Sequence, residues 1–301
     1  RKTHTADGHS MNAVSIIIPT FNGASVLNQQ LQALADETVD GGIEVNISDN
    51  GSQDNTVEIA ESYYGCFNLI ILDSSHTRGQ THARNEGVVA ANSDFLLFLD
   101  QDDVISPGYV AIMLGAIKIH GFVAAHMDSK ALNDGWRSKS RSLPQDVGLG
   151  TGGLPWAYGC TLGTTKKLFQ ALDGFDTTLY RSAEDVDFCW RAAKAGYQLV
   201  FVPEATLHYR FPESASKLFR QGFHYGVGQA LVDGLHPDVA EGAPSPAVRA
   251  KLLAHSLGAT IAGPTHVVRA RGAVRLGRWL GYVAGQLRFA RRISASHHTT
   301  S

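Results

Sequence analysis

Three aspartates lie within four residues in the segment Asp100-Gln101-Asp102-Asp103. They follow the apolar run Phe95 to Leu99, which is typical of a short buried strand. Carboxylates this close together repel one another, and a bound hard cation with oxygen ligands, Mn²⁺ or Mg²⁺, relieves that repulsion. The cluster therefore predicts a divalent metal site at the end of a strand.

A metal ion at that place can neutralise a diphosphate as a leaving group, which is a Lewis-acid role. The preceding segment, Arg78 to Asn85, adds cationic and amide donors that suit a phosphate or a base. An exposed basic turn is the alternative explanation for Arg78. For Arg84, which lies within a helical pattern, the alternative is a structural ion pair.

A second acidic group, Glu184-Asp185-Val186-Asp187, begins a predicted helix. Acidic residues in a first turn stabilise a helix through its dipole, which is the simpler explanation. Beside a metal-diphosphate site, one of these carboxylates can instead take a proton from an acceptor hydroxyl. His208 is either structural or a third metal ligand, since imidazole is an acceptable ligand for Mn²⁺.

Four runs rich in β-branched or aromatic residues predict strands over 14–18, 43–48, 68–72 and 95–99, with helical spacing between them. This alternation predicts an α/β fold with a mostly parallel central sheet flanked by helices. Ligands bind at the carboxyl ends of such strands. The loops Pro19–Gly23, Asp49–Ser52 and Asp100–Asp103 are therefore expected to meet in one crevice, although Asp49–Ser52 also suits a plain tight turn.

The second half of the sequence is less regular. Residues Asp128 to Gly159 predict a long loop region, and such loops tend to be functional or mobile. Helices are predicted from Thr165 to Leu172 and from about Ala183 to Ala195. A strand over 197–202 is expected to stop at Pro203, because proline removes a ladder hydrogen bond.

Composition limits the protein class. The 301 residues are 44% hydrophobic, which suits a globular core, and the three cysteines form no short-spaced pair. A reducing compartment follows, and the chain is expected to be cytoplasmic. No run reaches the roughly 18 apolar residues of a membrane span. We therefore expect a soluble protein or a peripheral one on the cytoplasmic membrane face.

Charge divides the chain unevenly. Up to position 241 there are 17 basic and 28 acidic residues, whereas the remainder holds nine basic and no acidic ones. On a helical wheel, an apolar arc faces an arginine-rich side within 271–292. The apolar arc holds Leu276, Trp279, Leu280, Val283, Leu287 and Ala290, and the basic side holds Arg271, Arg275, Arg278, Arg288 and Arg292. Such a helix either lies on an anionic membrane or docks on the acidic part of the chain.

An ordered set of motifs from about Val14 to Tyr209 resembles family 2 glycosyltransferases. The matching segments are Ser15 to Asn22, Ser48 to Asp54, Ala83 to Gly87, Phe98 to Asp103, Gly174 to Asp176, Glu184 to Arg191, Gly196-Tyr197 and Val202 to His208. The resemblance implies the glycosyltransferase A fold. It also predicts three regions: a flexible tail over 1–13, a catalytic domain over 14–210 and a helical, basic extension over 211–301.

The resemblance also implies residue roles. Asp185 matches the catalytic base and Glu184 is placed to hold the acceptor, while Asp100 and Asp102 match the Asp-x-Asp pair and His208 completes the metal shell in some members. Together with the strand-end loops, this gives the predicted nucleotide-sugar contacts Pro19, Thr20, Asn22, Asp49, Gly79, Arg84 and Asp100. Trp156 and Tyr158, in a segment that departs from the family pattern, either stack on an acceptor sugar or simply pack.

The activity implied is inverting transfer of a sugar from a nucleoside-diphosphate sugar, UDP as first choice, to an acceptor hydroxyl. The acceptor is a glycan, a lipid-linked sugar or a small molecule, and no nucleic acid is expected. A sugar nucleotidyltransferase is an alternative, but the loop after the first strand has a single glycine. A non-catalytic carbohydrate- or partner-binding module is another, against which the intact Asp100, Asp102 and Asp185 argue.

Overall fold

The computed structural model describes residues 2–3, 12–150, 153–180, 182–240 and 245–298, with the side chains of 2–3, 246 and 290–298 left out. Most of the predicted flexible tail over residues 1–13 lies outside this description. Of that segment, Lys2–Thr3 forms strand β1, which pairs antiparallel with a strand of the main sheet.

The first hundred residues alternate strand and helix as predicted. The elements are β2 (Val14–Thr20), α1 (Leu27–Ala35), β3 (Ile43–Asp49), α2 (Thr56–Glu61), β4 (Asn68–Asp73), α3 (Gln80–Ala90) and β5 (Phe95–Phe98). Strands β4, β3, β2 and β5 lie side by side in that order, all parallel. Their carboxyl ends therefore share one edge of the sheet, where the predicted loops emerge.

The next hundred residues extend the same sheet. They form β6 (Val104–Ile105), α4 (Tyr109–His120), β7 (Phe122–Asp128), β8 (Gly148–Leu149), β9 (Pro155–Trp156), β10 (Leu162–Thr165), α5 (Lys166–Ala171), α6 (Glu184–Lys194) and β11 (Val200–His208). Within the described residues the sheet has nine strands, in the order β1-β4-β3-β2-β5-β10-β7-β11-β6. Strand β10 runs antiparallel to both of its neighbours, an insertion that the sequence pattern did not reveal.

Strand β11 corrects one prediction. Pro203 does not stop it, since the strand continues to His208. Its pairing with β7 shifts register between Val202 and Thr206. The proline lies in this irregularity, where a missing backbone N–H is tolerated. His208 is consequently the last residue of a strand rather than part of a loop.

The sheet is covered by helices on both faces, and the alternation of side chains along its strands explains why. Ile16 and Ile18 belong to one apolar cluster with residues of α1, α2 and α4. Ile17 belongs to the cluster on the other face, with residues of α3, α5 and α6. Successive side chains of a strand point to opposite faces, so a continuous apolar run is what a sheet buried on both sides requires.

The long loop over 128–159 is mostly irregular, as predicted, apart from the small antiparallel pair β8–β9. Arg141 anchors it. The guanidinium lies over four aromatic rings, 5.2 to 5.9 Å from their centroids, and these belong to Tyr158, Tyr209, Phe211 and Tyr225. Cation–π contacts of this kind strengthen when the cation is shielded from water.

Three helices follow the sheet: α7 (Ala215–Leu235), α8 (Pro246–Ala262) and α9 (His266–His298). Helices α7 and α9 run in the same direction and touch backbone to backbone. A Cβ at Gly222 or Gly226 would collide with carbonyl oxygens of α9, and a Cβ at Gly277 or Gly281 would collide with those of α7. Glycine at these four positions is therefore what allows the close approach.

This packing settles how α9 is attached. The helix docks, but through its glycines and against α7, not through the apolar arc that the sequence suggested. Of that arc, Leu280, Val283 and Leu287 are 40%, 37% and 60% exposed, and the side chain of Ala290 lies outside the described residues. No helix in the described part of the chain is long and apolar enough to cross a membrane.

Candidate active site

The loops after β2, β3 and β5 meet as the strand order requires. The side chain of Gln101 accepts a 2.9 Å hydrogen bond from the backbone N–H of Phe21 and donates a 3.2 Å bond to its carbonyl. Asn22, whose φ of +48° is left-handed, accepts from the N–H of Gln53 at 2.8 Å, and its own N–H donates to Ser52 Oγ at 2.9 Å. These bonds fix the three loops against one another.

Asp49 shapes the loop that follows β3. Its carboxylate accepts hydrogen bonds from Thr20 Oγ1, from the N–H groups of Gly51 and Ser52, and from Ser52 Oγ, at 2.5 to 3.1 Å. Asp49 is 8% exposed, so one edge of the carboxylate stays at the surface. Pro19 and Thr20 belong to β2 and are buried beside it.

The neighbouring segment, residues 74–79, is held by Asn50, which no sequence argument singled out as a site residue. Asn50 Nδ2 donates to the carbonyls of Ser74 and Thr77, and its Oδ1 accepts from Gly79 N–H at 2.9 Å. Gly79 has a φ of +136°, and a Cβ there would meet Tyr180. Glycine is therefore required at this position, both because of the positive φ angle and because a Cβ would collide with Tyr180.

Arg84 lies at the centre of the site and is 2% exposed. It donates 2.6 Å hydrogen bonds to Asp100 Oδ1 and to Glu184 Oε1. Burial disfavours the guanidinium charge, but the two carboxylates outweigh that effect and raise the pKa of Arg84. Of the two explanations for Arg84, the structural ion pair is the one that this structure contains.

The aspartates of the acidic cluster that follows β5 have different surroundings. Asp103 is fully buried, and its Oδ1 accepts from Arg210 N–H at 2.9 Å. Its Oδ2 has no hydrogen-bond partner among the described residues. Burial, together with the charge of Asp100, raises the pKa of Asp102 to about 6. Crowded, partly unsatisfied carboxylates of this kind fit a hard divalent cation.

The predicted metal ligands are not all brought together. Within the described residues, the ligand atoms that lie within 4.8 Å of one another here belong to Asp100, Asp103 and Cys160. His208 instead lies with Nδ1 3.2 Å from Asp128 Oδ2. Asp103, to which no role was assigned from the sequence, thus lies within this group of ligand atoms.

The first turn of helix α6 forms another side of the site. Its N-cap, Ala183, has a left-handed φ of +72°. Asp185 accepts 2.8 Å hydrogen bonds from the N–H groups of Gly159 and Val186, and burial raises its pKa. Burial and the nearby Asp185 raise the pKa of Glu184 to about 7.

Asp187, the rival candidate for the base, is directed elsewhere. It accepts 2.8 Å hydrogen bonds from Arg191 Nε and pairs at 2.8 Å with His236 Nε2. Burial acts to raise the pKa of Asp187, but the bonds from His236 and Arg191 outweigh it and lower that pKa. These contacts occupy the carboxylate of Asp187, which thereby links α6 to the end of α7.

A cavity of about 670 Å³ contains the catalytic candidates. Asp185, Glu184, Arg84 and Asp100 line it, together with Trp156 and Tyr158, whose ring centroids are 5.1 Å apart at an interplanar angle of 75°. A further wall comes from the C-terminal helices, through Tyr225, Gln229 and Asp233 of α7 and Arg275, Arg278, Trp279 and Tyr282 of α9. Sequence reasoning missed this wall.

Comparison with known proteins identifies the family. Residues 15–177 match the model of glycosyl transferase family 2. The chain belongs to this family. The matched range includes the strand-end loops and the acidic cluster, whereas Glu184, Asp185 and the C-terminal helices lie beyond it.

Curated relatives of this family 2 chain include the pre-mycofactocin glycosyltransferase of Mycobacterium tuberculosis, which is 28% identical over 242 residues, covering 77% of the chain and 50% of the relative. The glycosyltransferase AglE of Haloferax volcanii is 29% identical over 230 residues, covering 73% of each protein. The chain thus spans about half the length of the mycobacterial relative.

Solved structures show the same fold at low sequence identity. The mannosyltransferase PcManGT of Pyrobaculum calidifontis, in complex with GDP-Man and Mn²⁺, has a TM-score of 0.58 and 17% identity, covering 99% of this chain and 84% of that one. S. aureus TarS 1–349 in complex with UDP-GlcNAc has a TM-score of 0.54 and 18% identity, covering 92% and 91%. The glycosyltransferase A fold implied by the sequence motifs is confirmed.

Proposed function

We propose that this chain transfers a sugar from a nucleoside-diphosphate sugar to an acceptor hydroxyl with inversion at the anomeric carbon. The observation that supports this most is the single cavity in which Asp185 faces the Arg84–Asp100–Glu184 network. A base candidate, the acidic cluster and a sugar-sized space with aromatic walls are what such a transfer needs.

Asp185 is the proposed base. Its two backbone hydrogen bonds fix the carboxylate at the edge of the cavity. It takes the proton of the acceptor hydroxyl, whose oxygen then forms a bond to C1 of the donor sugar. The bond from C1 to the diphosphate breaks on the opposite side, so the nucleoside diphosphate leaves and the configuration inverts.

Glu184 and Arg84 position the reacting groups. Arg84 holds Asp100 on one side and Glu184 on the other, which couples the acidic cluster to the start of α6. Glu184 lines the cavity, and its buried Oε2 has no hydrogen-bond partner among the described residues, so we assign it to holding the acceptor. We assign stacking on the acceptor sugar to Trp156 and Tyr158.

Asp102 and Asp100 would hold Mn²⁺ or Mg²⁺, with the unsatisfied Asp103 Oδ2 as a further oxygen nearby. His208, the third predicted ligand, would have to exchange its contact with Asp128 for the ion. When bound, the ion neutralises charge on the departing diphosphate. PcManGT, one of the structures with the same fold, was solved with Mn²⁺.

The nucleoside is placed at the strand-end loops, against Pro19, Thr20, Asn22, Asp49 and Gly79. UDP is our first choice of nucleotide. Structures of the same fold hold UDP, UDP-GlcNAc or GDP-Man, which supports a nucleotide-sugar donor in general. The acceptor in this proposal is a sugar, in a glycan, a lipid-linked molecule or a small molecule.

The decisive experiment is calorimetric titration of UDP and GDP with and without Mn²⁺, followed by mass spectrometry of a panel of UDP-, GDP- and dTDP-sugars incubated with the protein. We expect metal-dependent binding of one nucleotide and slow release of free sugar from its donor. Metal-dependent binding without turnover on any acceptor would favour the binding module, and formation of a sugar nucleotide from a sugar phosphate would favour the nucleotidyltransferase.

A membrane surface is proposed as a second partner. The exposed Leu280, Val283 and Leu287 form an apolar stripe on α9, within a chain segment that has nine basic and no acidic residues after position 241. An apolar stripe with neighbouring cations suits an anionic lipid surface. A lipid-linked acceptor would then reach the cavity from the side of α9.

A further inference from the structure

The acceptor side of the cavity is built partly by α9. Arg275, Arg278, Trp279 and Tyr282 line the same space as Asp185. These residues lie 90 to 97 positions beyond Asp185 in the chain. The C-terminal helices are therefore part of the site and not only an appendage.

This wall is held firmly in place. Gly226 lies against the carbonyl of Arg278, and Gly281 lies against the backbone of Phe223, so at these two points α9 rests directly on the backbone of α7. Helix α7 in turn meets the start of α6, since Gly228 lies against Ser182 and Ala183. The positions of Arg275 and Arg278 are thus set relative to Asp185 through backbone contacts.

The wall formed by α7 and α9 carries more positive than negative charge at the cavity. Asp233 accepts from Tyr282 Oη at 2.9 Å and from Gln229 Nε2 at 2.8 Å. Arg278 makes one long contact, 3.5 Å, to Gln229 Oε1, and Arg275 makes no hydrogen bond or ion pair with any described residue. Two exposed guanidinium groups and one carboxylate of these helices therefore line the cavity that Glu184 and Asp185 also line.

On the basis of the proposed function, we infer that the acceptor carries a phosphate group. Arg275 and Arg278 bind this phosphate while the acceptor hydroxyl reaches Asp185. Guanidinium groups match phosphate through paired N–H donors. Trp279, with Trp156 across the cavity, supplies aromatic surface for the sugar between the two ends. The phosphate belongs either to a free sugar phosphate or to a lipid-linked sugar.

The test is calorimetric binding of matched probes to the full chain with saturating UDP and Mn²⁺, which fill the donor's own phosphate site. Each pair consists of a sugar 1-phosphate and the methyl glycoside of the same sugar, for glucose, galactose, mannose and N-acetylglucosamine. A third probe links the sugar phosphate to a short isoprenoid alcohol. The variants are Arg275→Gln/Arg278→Gln and, as a matched control, Arg288→Gln, which is exposed on the same helix but does not line the cavity.

We expect at least one phosphorylated probe to bind about tenfold more tightly than its methyl glycoside, a preference that the double variant abolishes and the control keeps. The preference should also weaken with added salt, because exposed charges are screened. Tighter binding of the isoprenoid probe would identify a lipid-linked source, and equal binding a free one. No preference, or one that survives in the double variant, overturns the inference. Absent UDP binding and absent donor hydrolysis in the native chain would instead overturn the proposed function.

Discussion

Arg84 Nη1 donates a 2.6 Å hydrogen bond to Oε1 of Glu184, a residue 100 positions later in the chain. The other terminal nitrogen of Arg84 donates to Asp100. One buried cation thus joins the acidic cluster after β5 to the first turn of α6. Glu184 is buried, and a buried carboxylate without this cation would be unfavourable by several kcal/mol.

Replacing Arg84 by Met should therefore destabilise the fold. We expect a loss of about 3–5 kcal/mol in the free energy of unfolding, measured by chemical denaturation, because the buried Glu184 and the partly buried Asp100 lose their cation. Arg78→Met is the control, since Arg78 is exposed, and it should change stability by less than about 0.5 kcal/mol. Adding Glu184→Gln to Arg84→Met should recover part of the loss. A purely additive double variant would show that the pair is not coupled.

Asp185→Asn should lower the transfer rate by about 10²–10⁴-fold while leaving metal-dependent nucleotide affinity unchanged. Asparagine keeps an oxygen that accepts the hydrogen bond from Gly159, so the local structure is expected to persist. The measurement is single-turnover transfer beside calorimetric binding. Asp187→Asn is the matched control, and it should reduce stability but not the rate per folded molecule. Loss of nucleotide binding in Asp185→Asn would mean that the residue has another role.

The transfer rate should depend on pH through the same carboxylates. As the proposed base, Asp185 would act only when deprotonated, and burial raises its pKa. Activity should therefore be lost on acidification at a pH above the ordinary aspartate value of about 3.9. Because the pKa of Glu184 is about 7, its carboxyl is already protonated over this acidic limb, so Glu184→Gln should leave the limb in the pH profile of kcat where it is. A limb that moves to lower pH in Glu184→Gln would show that Glu184 is still charged where Asp185 titrates.

Asp102→Ala tests the metal assignment. We expect Mn²⁺ no longer to strengthen UDP binding in this variant, as measured by titration at several metal concentrations. Asp73→Ala, at the end of the neighbouring strand β4, is the control and should retain the metal effect. If Asp102→Ala keeps the metal effect and Asp103→Asn loses it, the ligand is Asp103. The carboxylate oxygen of Asp103 lies within 4.8 Å of the ligand atoms of Asp100 and Cys160.

The apolar stripe on α9 can be tested without removing the helix, which would also remove a wall of the cavity. Leu280→Ser/Leu287→Ser should weaken co-sedimentation with phosphatidylglycerol vesicles at least about tenfold, since each buried leucine contributes about 1.5–3 kcal/mol. Ile119→Ser is the control, because Ile119 is 77% exposed on α4 in the catalytic domain. If Leu280→Ser/Leu287→Ser and Ile119→Ser bind the vesicles equally well, the stripe is excluded as a membrane contact.

Local features could be predicted from the sequence. Short β-branched runs such as Val14–Ile18, bounded by turn residues, indicated strands, and their alternation with helical segments indicated parallel βαβ units. Polar loops after those strands then had to meet at one edge. The motif order was enough to indicate the family.

Only the tertiary structure decided the relationships between distant segments. The partners of Arg84 lie 16 and 100 positions away, and nothing local fixes them. The register shift that carries β11 past Pro203 depends on β7. The helical wheel of α9 left open whether its apolar arc lies on a membrane or docks, whereas in the structure the glycines of α9 are buried against α7. Backbone contact with Gly222 and Gly226 of α7 outweighs side-chain hydrophobicity there, and that packing brings Arg275 and Arg278 to the cavity that Asp185 lines.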